Sequence, residues 1–156
     1  MNMQNTINEF LTVKHIAIAG VSRKSKGKWG NELMKELSKK GYSIYPLNPN
    51  ADEVANVKCY RTIKDLPSVV KSLIIVTQPE VCEQIVKEAK QAGMERVWMQ
   101  KSSGKGSSTP EAIQFCKENN LSFVYGLCPM MAYGKGPHKF HFWLKKTFGS
   151  LPIEMK

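Results

Sequence analysis

Apolar residues fall in two alternating rhythms along this chain: short continuous runs, and longer stretches spaced three and four apart. The first run, His15–Ala19, stops at Gly20 and predicts a strand buried on both faces. A helix is predicted from Trp29 to about Lys40, with Leu33, Met34 and Leu37 on one side and Gly41 as its stop. The second strand is Ser43–Leu47, closed by the turn Asn48-Pro49-Asn50. An extended piece, Val57–Tyr60, and a helical turn at Thr62–Asp65, ended by Pro67, lead to a third strand at Ser72–Val76. Thr77-Gln78-Pro79-Glu80 has the form of a capping box opening a helix that ends near Ala92 and Gly93. A fourth strand, Arg96–Gln100, precedes a Ser/Gly/Lys loop over 101–107. Ser108-Thr109-Pro110-Glu111 opens another helix, to about Asn119, and Ser122–Tyr125 is the last strand. Residues 1–13 form a short leading helix carrying Ile7, Phe10 and Leu11.

Strands alternating with helices in this way imply βαβ units, right-handed crossovers and a parallel sheet. The expected fold is α/β: a single Rossmann-like, doubly wound parallel sheet of about five strands. Residues 1–130 form that domain, and 131–156 are expected as an aromatic and basic extension packed on it. In this extension Phe140, Trp143, Leu144 and Phe148 fall at helical spacing, and packing is favoured over a membrane-surface role.

Composition narrows the setting. With 156 residues the chain is long enough for an ordinary core. No apolar stretch reaches membrane-span length. Glu9 within a polar N-terminus argues against a signal peptide. Cys59, Cys82, Cys116 and Cys128 are widely spaced, which reads as reduced thiols in a cytoplasmic protein, not as a disulfide frame or a zinc site. His138 and His141 lack a third ligand nearby, so no metal is expected. A formal net charge of +10 favours anionic partners. The aromatic strand motifs of RNA binders are missing, so no nucleic-acid partner is expected.

In open parallel sheets ligands bind beyond the carboxyl ends of the strands. After the first strand, Gly20-Val21-Ser22-Arg23 departs from a dinucleotide loop: Ser22 stands where a second glycine belongs, and Gly27 and Gly30 follow an insertion. Arg23, Lys24, Lys26 and Lys28 lie between Gly20 and Gly30 with no acid among them. Cations beside a helix start make an anion site. An NAD site wants an acid at the end of the second strand; here stand Asn48 and Pro49, and Asp52 and Glu53 come late. The third end offers Thr77, Gln78 and Pro79; the fourth offers Trp98 and Gln100.

Taken together, Ile16–Arg23, the Gly41–Pro49 segment, Val97-Trp98-Met99-Gln100 and Cys128-Pro129 resemble the CoA-binding domain family of small bacterial proteins. That family is similar to the N-terminal domain of the succinyl-CoA ligase α subunit. The resemblance implies a Rossmann fold holding coenzyme A or an acyl-CoA. Gly20, Val21, Ser22 and Arg23 would hold the pyrophosphate, with Lys28 and Gly30 beside them. Asn48 and Pro49 would lie near the adenosine end, and Thr77, Gln78 and Pro79 on the cleft floor. Trp98 and Gln100 would approach the pantetheine arm, with Cys128 near the cleft. The ligase's catalytic histidine belongs to a second domain, and no residue here matches it. The expected function is therefore non-catalytic binding, with a homodimer left open. The alternative is an NAD(P)-dependent oxidoreductase or another nucleotide-binding enzyme on the same fold. The Tyr60/Lys64 spacing of short-chain dehydrogenases straddles a strand and a turn, so it is read as chance.

Overall fold

The run His15–Ala19 becomes the inner strand around which the sheet is built. A computed structural model describes residues 2–24, 28–101 and 105–133. In chain order its strands are β1 His15–Ala19, β2 Ser43–Leu47, β3 Glu53–Val54, β4 Val57–Lys58, β5 Ser72–Ile75, β6 Arg96–Gln100 and β7 Ser122–Leu127. The helices are α1 Met3–Thr12, α2 Trp29–Lys39, α3 Pro79–Gln91, α4 Pro110–Glu118 and α5 Pro129–Tyr133. Five strands form one sheet in the order β2-β1-β5-β6-β7, every pair parallel. Outside β2, Tyr60 makes a single parallel bridge to Leu47. Its amide donates to the Pro46 carbonyl at 2.8 Å, and its carbonyl accepts from the Asn48 amide at 3.0 Å. This bridge stands where a Rossmann sheet carries its next strand. The order is therefore Rossmann-like with the outermost strand reduced to one residue. β2 is otherwise an outer strand, which is why it tolerates Pro46.

Both faces of the sheet are covered, as its unbroken apolar strands require. Ile16, Ile18, Ile74, Trp98 and Val124 pack toward α1, α2 and α5. Ala17, Ala19, Leu73, Ile75, Val97, Met99 and Phe123 pack toward α3 and α4. The first helix starts at Met3, capped by the Asn2 side chain accepting from the Gln4 amide at 2.9 Å. Arg96 fastens it to the sheet: its guanidinium donates to Glu9 at 3.0 Å and to the Ser72 hydroxyl at 2.9 Å.

Two local expectations change, and one hairpin was not expected. Gln78, not Thr77, caps α3, and it makes no side-chain cap bond. Pro79 fits the first helical position and holds the residue before it extended, so the cap falls on Gln78. Thr109 does cap α4, accepting from the Ala112 amide at 3.1 Å. The last strand runs two residues beyond Tyr125: a register shift after Met99 pairs Gln100 with Leu127, and Gly126 takes φ 72° at the irregularity. The β3–β4 hairpin turns on Ala55 and Asn56, both at positive φ, without the glycine that marks such turns in a sequence. Of the expected extension at 131–156, only 131–133 lie within the described residues; they end α5, where the Tyr133 hydroxyl donates to the Phe10 carbonyl at 2.8 Å. The aromatic stripe, both tail histidines, Lys26, Gly27 and residues 102–104 lie outside them.

Cys82 on α3 and Cys116 on α4 are fully buried in the layer between those helices and the sheet. Burial pushes each thiol up to about 12, Cys82 adding a repulsion to Cys116. The unfolded chain therefore loses these two protons first, near pH 9. Their contribution to stability is intact below that pH and declines as pH rises toward 12, by roughly 1 kcal/mol per thiol per pH unit. Denaturant titrations at pH 8 and pH 10.5 should show this decline, and Cys82→Ala/Cys116→Ala should flatten it. An equally steep decline in the double variant would refute the assignment.

Candidate functional site

The carboxyl ends of β1, β2 and β5 meet at the point where the chain switches direction across the sheet. After Ala19 the backbone turns at Gly20 with φ 104°, a conformation that glycine adopts without steric cost. A Cβ at Gly20 would lie 2.8 Å from Val76 Cγ2 and 2.9 Å from the Val76 carbonyl carbon. Gly30, in the first turn of α2, packs directly on this turn: a Cβ there would lie 2.6 Å from the Gly20 carbonyl oxygen. The two glycines let the start of α2 press against the end of β1. The helix N-terminus, with the positive end of its dipole, is thereby held beside the loop.

Side-chain amides fix the loop's shape. Asn31, buried in the first turn of α2, clamps Ser22 from both sides. Its Nδ2 donates to the Ser22 carbonyl at 2.8 Å, and its Oδ1 accepts from the Ser22 amide at 2.8 Å. The Ser22 hydroxyl accepts from the Lys24 amide at 3.2 Å. From the end of β2, Asn48 Nδ2 donates to the Val21 carbonyl at 2.9 Å, while its Oδ1 accepts from the Asn50 amide at 2.8 Å. Arg23, Lys24 and Lys28 surround this frame with their side chains exposed.

Beside the loop opens a cleft of about 480 Å³, a size typical of small-molecule sites. Its lining comes from the strand ends (Ala19, Gly20, Leu47, Asn48, Pro49 and Thr77), from Val81, Ile85 and the acid Glu88 of α3, and from Arg61, Thr62 and Ile63. The lining is mostly apolar, with a few polar groups placed at its edges. Two polar atoms at the strand ends are buried without a partner among the described residues: the Thr77 hydroxyl and Gln100 Oε1. Either needs a hydrogen bond to offset its desolvation.

The residues singled out in the sequence divide accordingly. Gly20, Asn48, Pro49 and Thr77 line the cleft. Ser22, Arg23, Lys28 and Gly30 build its loop; Val21 belongs to that loop too, but its side chain is buried in the core. Gln78 and Pro79 sit at the start of α3, Gln78 exposed. Trp98 and Cys128 are elsewhere. Trp98 is fully buried on the α1/α5 face, edge-on to Phe10 at 5.4 Å, its Nε1 donating to the Leu127 carbonyl at 3.0 Å. Its burial beneath α1 and α5 keeps its side chain out of the cleft. Cys128 is buried in the same cluster. The sequence reading missed Asn31, whose only signal was a polar residue on an otherwise apolar helix face, and Arg61, Val81 and Ile85, which the fold brings to the cleft.

The first of the two late acids is accounted for as well. Asp52 forms a two-point pair with Arg61, Nε to Oδ1 at 2.8 Å and Nη2 to Oδ2 at 3.0 Å. That hydrogen bond and charge hold its carboxyl below the usual carboxylate range. No group of three or more metal-ligating side chains occurs among the described residues.

An α/β sheet of this order, with a glycine-turned loop against a helix start and an apolar cleft at the switch point, defines a Rossmann-like domain. Within that class the chain belongs to the CoA binding domain family, whose model matches residues 14–134. It is 36% identical over 83 residues to an ADP-forming acetate–CoA ligase II of Archaeoglobus fulgidus, a match spanning 52% of this chain but 12% of the ligase. The chain thus corresponds to a small part of the ligases it matches. Among solved structures it is similar to a conserved hypothetical protein of Pyrococcus furiosus, with TM-score 0.69 and 35% identity, covering 75% of this chain and 97% of that one. A hypothetical protein of Pyrococcus horikoshii OT3 aligns with TM-score 0.74 at 28% identity, covering 85% of this chain and 90% of its own.

Proposed function

We propose that this protein binds coenzyme A or an acyl-CoA without performing chemistry of its own. The observation that carries the reading is the contact between Gly30 and the Gly20 carbonyl, which leaves no room for a Cβ and sets a helix N-terminus beside a basic loop. A diphosphate fits that arrangement: backbone amides, the helix dipole and Arg23, Lys24 and Lys28 all favour it. The adenosine end then lies in the apolar cleft against Leu47, Pro49, Val81 and Ile85. The pantetheine arm, rich in amides, leaves past Thr77 and Gln100, whose buried oxygens need partners. Trp98 and Cys128 take no part.

Coenzyme A held this way presents its thiol, free or acylated, beyond the strand ends. The reading suits a carrier, sensor or regulator. The oxidoreductase alternative is disfavoured because the position after β2 holds Asn48, committed to the loop, and the acid that follows is paired with Arg61.

A thermal-shift comparison of coenzyme A, acetyl-CoA, NAD and NADP tests this. At about 100 times its dissociation constant a ligand adds about 2.7 kcal/mol of stability. Coenzyme A or acetyl-CoA is expected to give that shift, and Arg23→Glu or Ser22→Trp to remove it with the fold intact. Full shifts in both variants would place the ligand elsewhere.

A further inference from the structure

Arg61 supplies the cation among the described residues lining the cleft, and its position is specific. It follows Tyr60, whose backbone bridges the end of β2, so it enters at the edge where nucleotide sites of this fold read the ribose. Its guanidinium is fixed in orientation by the two-point pair with Asp52. That pair is weakly held: the side chains are 58% and 80% exposed, and solvent-exposed ion pairs contribute little. A phosphate dianion offers the same forked geometry with more charge, and so competes well for the same guanidinium.

We propose that Arg61 reads a phosphate on the ligand's ribose, with Asp52 holding the guanidinium in position until that phosphate displaces it. The site thereby selects ribose-phosphorylated nucleotides over their dephosphorylated counterparts. The placement of the ribose rests on the coenzyme A reading. The phosphate chemistry is shared by the 3′-phosphate of coenzyme A and the 2′-phosphate of NADPH, so the test includes both.

Isothermal titration at fixed salt, with coenzyme A, 3′-dephospho-coenzyme A, NADPH and NADH, separates the outcomes. The unmodified protein is expected to bind coenzyme A about tenfold or more tightly than the dephosphorylated form, the scale of one charge-assisted hydrogen-bond pair. Arg61→Ala should bring the two within about twofold by weakening coenzyme A alone. Asp52→Asn should widen the gap several-fold by removing the competitor. Equal weakening of both ligands in Arg61→Ala, or no discrimination by the unmodified protein, overturns the proposal while leaving coenzyme A binding in place. An NADPH preference lost in Arg61→Ala, with neither coenzyme A compound bound, sustains the role of Arg61 and overturns the coenzyme A reading instead.

Discussion

Gly30→Ala is expected to raise the dissociation constant for coenzyme A by at least about tenfold and to lower stability by about 1–3 kcal/mol, the usual range for overpacking. The added methyl would meet the Gly20 oxygen at 2.6 Å, the Val76 methyl at 3.0 Å and the Gly20 carbonyl carbon at 3.1 Å. Two of those atoms are backbone and cannot rotate aside. Either α2 retreats from the sheet or the Gly20–Arg23 loop is displaced, and both separate the helix amides from the bound diphosphate. Gly41→Ala is the matched control. Gly41 follows α2 at φ 86°, and a Cβ there meets nothing within 4 Å. That change should cost about 1–2 kcal/mol of backbone strain and leave coenzyme A affinity untouched. Titration calorimetry and urea unfolding of both variants check the pair. Unchanged affinity in Gly30→Ala would remove the helix start from the binding site.

The contrast between these glycines shows which part of the site was legible in the sequence. The alternation of strands and helices and the place of the loop after β1 could be read because they depend on local pattern: an apolar run, a glycine at its end, a helix start. What Gly30 touches is not local. Its role appears only when β1 and α2 are brought together, since Gly20 and Gly30 stand ten positions apart in the chain. Asn31 escaped for the same reason, and so did the hold of Asn48 on the Val21 carbonyl, although the sequence already placed Asn48 at the site. Each uses its amide to hold another segment's backbone, and a lone asparagine carries no sign of which carbonyl it will reach. The cleft's far wall, Val81 and Ile85, reads in sequence as an ordinary amphipathic helix face; only the fold aims it at the strand ends. Thr77 shows the opposite error. Its sequence context suggested a cap, yet Pro79 moved the cap to Gln78 and left the hydroxyl buried beside the cleft. The sequence reading gives Thr77 both a cap and a cleft-floor role; the cap falls away and Thr77 lines the cleft.

Trp98→Ala is expected to destabilise the fold by about 3–5 kcal/mol, which lowers the melting temperature by roughly 10 °C or more in a domain of this size. The indole is fully buried, edge-on to Phe10 and 6.2 Å from the Tyr133 ring, so it joins β6 to α1 and α5 at once. Trp98→Phe decides whether the ring has any part in binding. It keeps most of the packing, and the Leu127 carbonyl that loses the indole donor still accepts from the Lys101 amide at 3.0 Å. Its cost should therefore be nearer 1–2 kcal/mol, with coenzyme A affinity unchanged. An indole that touched the pantetheine arm would give the reverse: a well-folded Trp98→Phe protein with weakened binding. The burial of the side chain on the α1/α5 face predicts the first result, because a group sealed between helix and sheet reports on the core and not on the ligand.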